Sequence, residues 1–260
     1  EEVLQAKSNL YMQENGEWKI NPKTAHRSMS NNSIQYYEKP TREFLHWHIE
    51  QLKFSGEPGF YVATNALKRR EDFALPNPCG EILLTKSEQC NLTTVNLFAF
   101  VKDGVLDREG VLEAQRLSAR AGYRMTCVEL ELNDWNNNLI KDRLIGTSIT
   151  GWQDMINATG MTKEEQIQLL KDMRETIHEE GKKMAELVGG NVPLLSTTVK
   201  PEGTLSLLPT VSSGVHYSHS PYYIRRVRIN ATDPLLKVCE ELGYPVHPEV
   251  GQTEENCTTK

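Results

Sequence analysis

An α/β fold is predicted from three observations: capped segments of helical period, short apolar runs bounded by glycine or proline, and the alternation of the two along the chain with short polar joints. Helices lying between successive strands imply crossover connections, hence a largely parallel sheet or barrel. With 260 residues, 38% of them hydrophobic, the chain can bury the core of one large or two ordinary domains. No internal repeat or low-complexity segment interrupts the pattern.

The helices carry their own start and stop signals. Thr41 opens a segment with Phe44, Leu45, Trp47, Ile49 and Leu52, and Asp107 opens one with Val111, Leu112, Ala114 and Leu117, both apolar on one side. Thr162 with Glu165 forms a capping box ahead of Ile167, Leu169, Leu170, Met173, Ile177, Met184 and Leu187, and Gly189-Gly190 ends that long helix. Asp233-Pro234 starts a further helix that stops at Gly243. Strands are expected in "RLIGTSITG" from Arg143, "VPLLSTTV" from Val192, "GTLSLLP" from Gly203 and the run 222–229. Residues 76–96 follow neither period and read as a long ordered loop, the kind of segment on which a rigid scaffold places chemistry.

Composition narrows the function classes. A net charge of -6 excludes wholesale binding to nucleic acid or to a membrane surface, although Arg225, Arg226 and Arg228 form a local cationic run. No stretch approaches the ~18 apolar residues of a membrane span, and the start lacks the basic and apolar regions of a signal peptide, so the expected address is cytoplasmic. Five cysteines, odd in number and without a CxxC pair, favour neither a disulfide framework nor a zinc cluster. The chain starts at Glu1 and stops at "ENCTTK", which predicts a piece of something longer.

Two stretches could carry chemistry. In "NPCGE", side chains two apart in an extended segment face one side, so Asn77, Cys79 and Glu81 converge as an amide, a thiol and a carboxylate. Pro78 stiffens the approach and Gly80 admits a close neighbour, while a buried structural cysteine in a turn remains the competing reading. Cys90 lies on the same stretch and could fold back toward Cys79 or another thiol. The second stretch, residues 196–214, "STTVKPEGTLSLLPTVSSG", has the composition of an anion cradle, with ordinary turn structure as its alternative; it is not a Walker motif. His216 and His219 lack a third ligand and read as structural. Tyr222 and Tyr223 read as one core and one surface residue, and Cys127 and Cys239 as core.

"NPCGE" with "CNLTTVNL" eleven positions after its cysteine, followed by "KPEGTLSLLPTVSSGVHYSHSPYYIRRVRI", resembles the catalytic subunit of ribonucleotide reductases, most closely the adenosylcobalamin-dependent, monomeric type. "AHRSMSNNSI", "FLHWHIEQLKFSGEPGFY" and "RLIGTSITGWQD" extend the likeness over nearly the whole chain in order. The resemblance implies that residues 1–260 are part of a ten-stranded α/β barrel whose central finger loop, about 74–96, carries the catalytic cysteine. It implies Cys79 as the thiyl radical that takes the 3′-hydrogen of the ribose, Glu81 as general base on the 3′-hydroxyl, and Asn77 as the group holding the ribose hydroxyls. Cys90 matches one member of the redox pair that reduces the 2′ position.

Gly203, Thr204, Leu205 and Ser206 match the substrate-phosphate loop, in the region 196–214, with Glu202 departing from the small residue common there. The implied cofactor is adenosylcobalamin, with a radical from a separate metal-containing subunit as alternative; no protein metal site is implied. The implied partners are the ribonucleotide substrate, polypeptides supplying the rest of the barrel, the second redox cysteine and the C-terminal cysteine pair, and a thioredoxin-like reductant. A non-catalytic nucleotide-binding or assembly module with the same fold is the alternative function, against which the joint presence of Asn77, Cys79, Glu81 and Cys90 stands.

Overall fold

The structure is a computed structural model that describes every residue except 1–4, 8, 28, 29, 90, 218, 219, 221, 223, 225, 250 and 251, together with the side chains of all described residues but 17, 18, 54 and 55. Cys90, His219, Tyr223 and Arg225 therefore lie outside the described residues. The chain divides into two units, Glu1–Asn65 with Tyr222–Lys260, and Ala66–Pro221.

In the first unit β1 (Tyr11–Glu14) and β2 (Glu17–Ile20) form an antiparallel hairpin. β3 (Ser33–Tyr36) and β4 (Gly59–Val62) pair in parallel across α1 (Arg42–Ser55). Thr41 starts that helix as expected, its hydroxyl accepting the Phe44 N–H at 3.1 Å. Inside the unit the fully buried His48 ring bridges the Tyr36 hydroxyl and the Pro58 carbonyl, the latter at 2.7 Å. A carbonyl can only accept, so Nε2 donates to Pro58, and the ring ties β3 to the segment before β4 as a structural group.

The chain passes between units within α2 (Ala63–Leu67). The second unit holds a hairpin of β5 (Leu75–Pro76) and β6 (Leu83–Leu84), then β7 (Asn91–Asn96), a small hairpin of β8 (Val101–Lys102) and β9 (Val105–Leu106), α3 (Arg108–Met125), α4 (Asn133–Asp142), β10 (Ile145–Thr150), α5 (Trp152–Thr159) and α6 (Lys163–Val188). β7 and β10 run parallel, Asn91 opposite Ile145 through Asn96 opposite Thr150. Residues 195–198 lie parallel along the other side of β10, with Ile145 N–H donating to Leu195 O and Thr198 N–H to Thr147 O, each at 3.1 Å. The strand expected from Val192 does not form, since that segment joins β10 only through an isolated bridge at Thr197, but two parallel strands with helices between them keep the crossover arrangement that the alternating sequence predicts.

The faces of this sheet differ. Val95 and Ile149 pack with Leu97, Val111, Trp152, Met155, Leu169 and Met173 into the main core beneath α3, α5 and α6. By the two-residue period, Leu92, Thr94 and Asn96 of β7 and Gly146, Ser148 and Thr150 of β10 line the other face. Hydroxyl-bearing residues dominate there, yet Ser148 and Thr150 are buried. Gly146 is required at this point: a Cβ would lie 2.6 Å from Leu92 Cδ2, 3.0 Å from Ile82 Cδ1 and 3.1 Å from Thr198 Cγ2, so its absence lets the β5–β6 hairpin settle on the sheet.

Several expectations are corrected. Residues 76–96 are no long loop but a hairpin followed by β7. "GTLSLLP" is a 3-10 turn at Leu205–Leu207 rather than a strand, because Ser206 N–H folds back to Glu202 O and Leu207 N–H to Thr204 O. No strand forms among the described residues of 222–229, at whose end the Ile229 backbone exchanges two hydrogen bonds with Lys260. Cys127 is exposed, since α3 ends at Met125 and the thiol sits past its last turn. No closed barrel forms among the described residues, and no loop threads one: the parallel pairs β3–β4 and β7–β10 belong to separate two-stranded sheets, and a sheet must be continuous to close. Seven helices occur in the described chain, the last being α7 (Pro234–Glu241), capped by Asp233 as expected, and none is long and apolar enough to cross a membrane.

Candidate active site

The tip of the β5–β6 hairpin is a tight turn. Gly80 N–H donates to Asn77 O at 2.9 Å, with Pro78 and Cys79 as the two central residues and Gly80 in the left-handed region at φ 86°. Asn77 holds the turn twice more, its backbone N–H donating to Ile82 O at 3.3 Å and its Oδ1 accepting the Ile82 N–H at 2.9 Å. The segment is thus not extended, and the two-residue period expected for it does not apply. Asn77 is buried, Cys79 is exposed at the apex, and the Glu81 carboxylate turns inward.

Glu81 is the unusual group. Both carboxylate oxygens are buried and neither has a hydrogen-bond partner, while the residue lines a cavity of about 60 Å³ with Arg69, Leu83, Leu144 and Thr197. Its backbone carbonyl is fixed by the Thr198 hydroxyl at 2.9 Å, so the segment 195–198 and the hairpin tip are tied together. A buried, unpaired carboxylate is strongly unfavourable, and native proteins keep such groups chiefly where a ligand completes them.

After residue 198 the chain turns over the carboxyl ends of β7, β10 and the segment 195–198, where open α/β sheets bind ligands. Lys200 N–H donates to Ser148 Oγ at 3.0 Å. Glu202 adopts φ 56°, and its buried carboxylate takes the Thr94 hydroxyl at 2.5 Å with Lys200 Nζ at 3.8 Å. Gly203, Thr204 and Leu205 are exposed, and space around Gly203 is open. Ser206 is buried and clasps Ser213 by a 3.0 Å hydroxyl contact. The strap then docks on β10 and α5: the Thr150 hydroxyl donates to Ser212 O at 3.0 Å, Gly151 N–H to the same oxygen at 2.9 Å, and Ser212 N–H to Asp154 at 2.5 Å. His216 is structural in the sense that its Nδ1 contacts Ser213 O at 2.7 Å.

A buried ionic cluster stands behind the hairpin. Arg70, with a side chain 1% exposed, donates to Glu88 and Asp142 at 2.6 Å each, to Asp72 at 2.8 Å and to Leu83 O at 2.9 Å. Burial pulls the guanidinium pKa down, but the hydrogen bonds to Asp72 and Glu88 outweigh it and the net direction is up. Arg70 in turn holds Asp72 below the usual carboxylate range, whereas burial pushes Glu88 up. Sequence reading missed this cluster, and also Thr94, Lys200 and the Ser206–Ser213 clasp. Thr94 stands within a run that otherwise reads as strand, whereas Arg70, Asp72, Glu88, Asp142 and Lys200 lie in polar stretches or at a helix end that give no local signal of their pairing.

The structure thus joins Glu81 to Thr198, and Glu202, four positions on, to Thr94, which places the hairpin tip and the 200–206 loop on one scaffold. A larger cleft of about 820 Å³ lies between α3 and α6, lined by Arg116, Arg120, Arg124, Glu180 and Leu187, on the helix side of the sheet. Among the described residues no three His, Cys, Asp or Glu side chains gather as a metal set.

The profile described as ribonucleotide reductase, barrel domain, matches residues 23–188, well over half of the chain. The chain belongs to the ribonucleotide reductase family. Among relatives of this reductase segment, the adenosylcobalamin-dependent ribonucleoside-triphosphate reductase of Lactobacillus gasseri is 29% identical over 261 residues, covering 86% of this chain and 34% of the relative. The protein of the same name from Euglena gracilis is 31% identical over 209 residues, covering 76% and 28%. A crystal structure of a B-12 dependent (class II) ribonucleotide reductase superposes with a TM-score of 0.74 at 24% identity, covering 99% of this chain and 38% of that one, a likeness of fold. The reductase segment thus spans about a third of the length of the curated relatives it matches.

Proposed function

We propose that this chain is the central catalytic segment of an adenosylcobalamin-dependent ribonucleotide reductase and reduces ribonucleoside triphosphates to 2′-deoxyribonucleotides by thiyl-radical chemistry. The observation that carries the reading is the Glu81 carboxylate, buried without a partner two residues from the exposed thiol of Cys79 at the tip of a rigid turn. The names of the relatives support the triphosphate and the cofactor. The whole chain is read as part of one barrel domain, with the hairpin region 74–96 as finger loop and 196–214 as the phosphate region, in a cytoplasmic enzyme.

Of this chain's residues, Cys79 is the one that fits the cofactor, because its thiol is presented to the outside of the turn where a hydrogen atom can be removed. When bound, adenosylcobalamin supplies the unpaired electron that the sulfur then carries. The Cys79 sulfur takes the 3′-hydrogen atom and gives a hydrogen atom back to C3′ once the 2′ position is reduced, while Glu81, lacking any donor of its own, receives the proton of the 3′-hydroxyl and later returns it. Asn77 sets the turn through Oδ1 and is read as the group that holds the ribose hydroxyls. Cys90 and a cysteine from another polypeptide deliver the two electrons at the 2′ position, ending as a disulfide while the 2′-hydroxyl leaves as water; a thioredoxin-like reductant restores the pair.

Gly203, Thr204 and Leu205 are read as the surface that receives the phosphates. Ser206 clasps Ser213 and holds that surface in place, and the inward-turned Glu202 keeps its charge off the phosphates. Other polypeptides supply the rest of the barrel in this reading, since no closed sheet forms among the described residues.

The test is reduction of a ribonucleoside triphosphate by the purified chain with adenosylcobalamin, a dithiol and the polypeptides that complete the barrel. Turnover that disappears with Cys79→Ser and with Glu81→Gln is expected. Turnover that persists in Cys79→Ser sinks the assignment of the thiol, and nucleotide binding without turnover under every combination sinks the enzymatic reading.

A further inference from the structure

We propose that Thr150 and Asp154 are positioning residues for triphosphate binding: from the corner between β10 and α5 they hold residues 212–214, and through them the loop 200–206. The functional consequence rests on the reading of that loop as the surface that receives the phosphates, whereas the fastening itself is geometric.

Ser212 and Gly214 spend their backbone groups on this one corner. Ser212 N–H donates to Asp154 Oδ2 at 2.5 Å, and Ser212 O accepts from the Thr150 hydroxyl at 3.0 Å and from Gly151 N–H at 2.9 Å. Gly214 N–H donates to the same Thr150 oxygen at 3.1 Å, and Gly214 O accepts from Trp152 N–H at 3.3 Å. Thr150 is buried, so its hydroxyl finds a donor and an acceptor on the strap and neither in water. The N–H groups of Gly151 and Trp152, which the free start of a helix leaves without partners, are used in the same contact. Trp152 and Met155 seat α5 in the main core, which fixes the corner from its other side.

The strap in turn closes the loop. Ser213, between the two fastened residues, has its hydroxyl 3.0 Å from Ser206 Oγ, and Val211 N–H donates to Ser206 O at 3.0 Å. Gly214 passes so close to the start of the loop that a Cβ would lie 2.6 Å from Lys200 O. Lys200 N–H is itself held by Ser148 Oγ at 3.0 Å, two residues before Thr150 on the same face of β10. One strand face thus fixes the loop at both ends, directly through Ser148 and through the strap by Thr150, and Gly203, Thr204 and Leu205 stand exposed between them. A surface ordered in advance spares the ligand the entropy of ordering it, so releasing the strap lowers affinity. The Cys79 turn is closed separately by Asn77 and Ile82, and the chemical step is left as it was. A carboxylate in its first turn also favours α5 itself, a role that stability reports and triphosphate affinity does not.

The test is equilibrium binding of inorganic tripolyphosphate to the 260-residue chain, read beside amide hydrogen exchange at Ser206 and Val211, whose N–H groups close the loop. Asp154→Ala and Thr150→Val are expected to weaken binding about tenfold, the worth of one hydrogen bond to a charged group or of two neutral ones, and to speed exchange at both amides. Asp154→Asn and Thr150→Ser, which keep the acceptor and the hydroxyl, restore affinity and protection. Ser213→Ala cuts the strap from Ser206 without touching the corner and weakens binding in the same sense, which keeps the test open should Asp154→Ala fail to fold. Asp107→Ala, which removes the cap of α3 and lowers stability, leaves affinity unchanged. In the enzyme assembled with the polypeptides that complete the barrel, Thr150→Val raises KM for the triphosphate and leaves kcat as it was. Wild-type affinity in Ser213→Ala and Thr150→Val, or a loss in Asp107→Ala as large as theirs, overturns the positioning role and leaves the reading of the loop intact. A wild-type chain that binds no tripolyphosphate overturns that reading, and the inference with it.

Discussion

Replacing Arg70 by methionine is the perturbation that isolates the buried cluster most cleanly, since the new side chain has similar length and no charge. Arg70 and Glu88 have side chains 1% exposed and Asp142 6%, so the substitution leaves two carboxylates in the interior without their cation. Breaking a buried pair in this way costs about 3–5 kcal/mol, because the remaining charge keeps its desolvation penalty. A domain has about 5–15 kcal/mol of total stability, so about a fifth or more is lost. With a urea slope of about 1–3 kcal/mol per molar, the unfolding midpoint falls by about 1 M or more. The control is Arg228→Ala, which removes a 2.7 Å pair with Glu249 whose arginine is 75% exposed and is expected to change stability by less than about 1 kcal/mol. The deficit of Arg70→Met should also shrink as pH falls, because Glu88, which burial already pushes up, then takes up a proton and no longer needs the cation. A loss as small as that of the surface control would refute the argument that Arg70 anchors buried charge.

Three further substitutions test the site. Glu81→Gln should abolish turnover of the assembled enzyme yet leave the urea midpoint unchanged or raise stability by up to about 1 kcal/mol, since an unpaired buried charge is removed; clear destabilisation would show that the carboxylate has a structural partner. Gly146→Ala drives a methyl group against Leu92, Ile82 and Thr198 at 2.6–3.1 Å and should cost about 1–3 kcal/mol, less in combination with Ile82→Val; additive losses would contradict the close approach of hairpin and sheet. Thr94→Val removes the 2.5 Å donor to Glu202 and should cost about 1–3 kcal/mol in thermal or urea unfolding, with weaker triphosphate binding as residues 200–206 lose their tether.

Local signals were legible wherever the cause is local. Thr41, Asp107, Thr162 with Glu165, and Asp233 each start the helix expected of them, because a cap is decided by a side chain and the N–H groups two or three residues on. The strand from Arg143 and the parallel crossover order were readable for the same kind of reason: period and punctuation lie within a few residues. The 76–96 stretch was misread because strands of two residues are too short to show a period, and the turn at Pro78-Cys79 only forms with Ile82 and Leu84 packed on the sheet.

The sequence by itself determined the helices, the α/β class and the identity of the residues in "NPCGE" and "KPEGTLS" that mark the family, since each is a matter of residue type at a fixed spacing. Only the tertiary structure decided which way those residues face. That Glu81 is buried with no donor, that Glu202 turns to Thr94 and that Arg70 gathers the carboxylates of Glu88 and Asp142 all depend on contacts between segments apart in sequence. The physical reason is that burial and pairing are properties of the packed interior, where a charge is fixed by whatever the fold brings beside it and not by its neighbours in sequence.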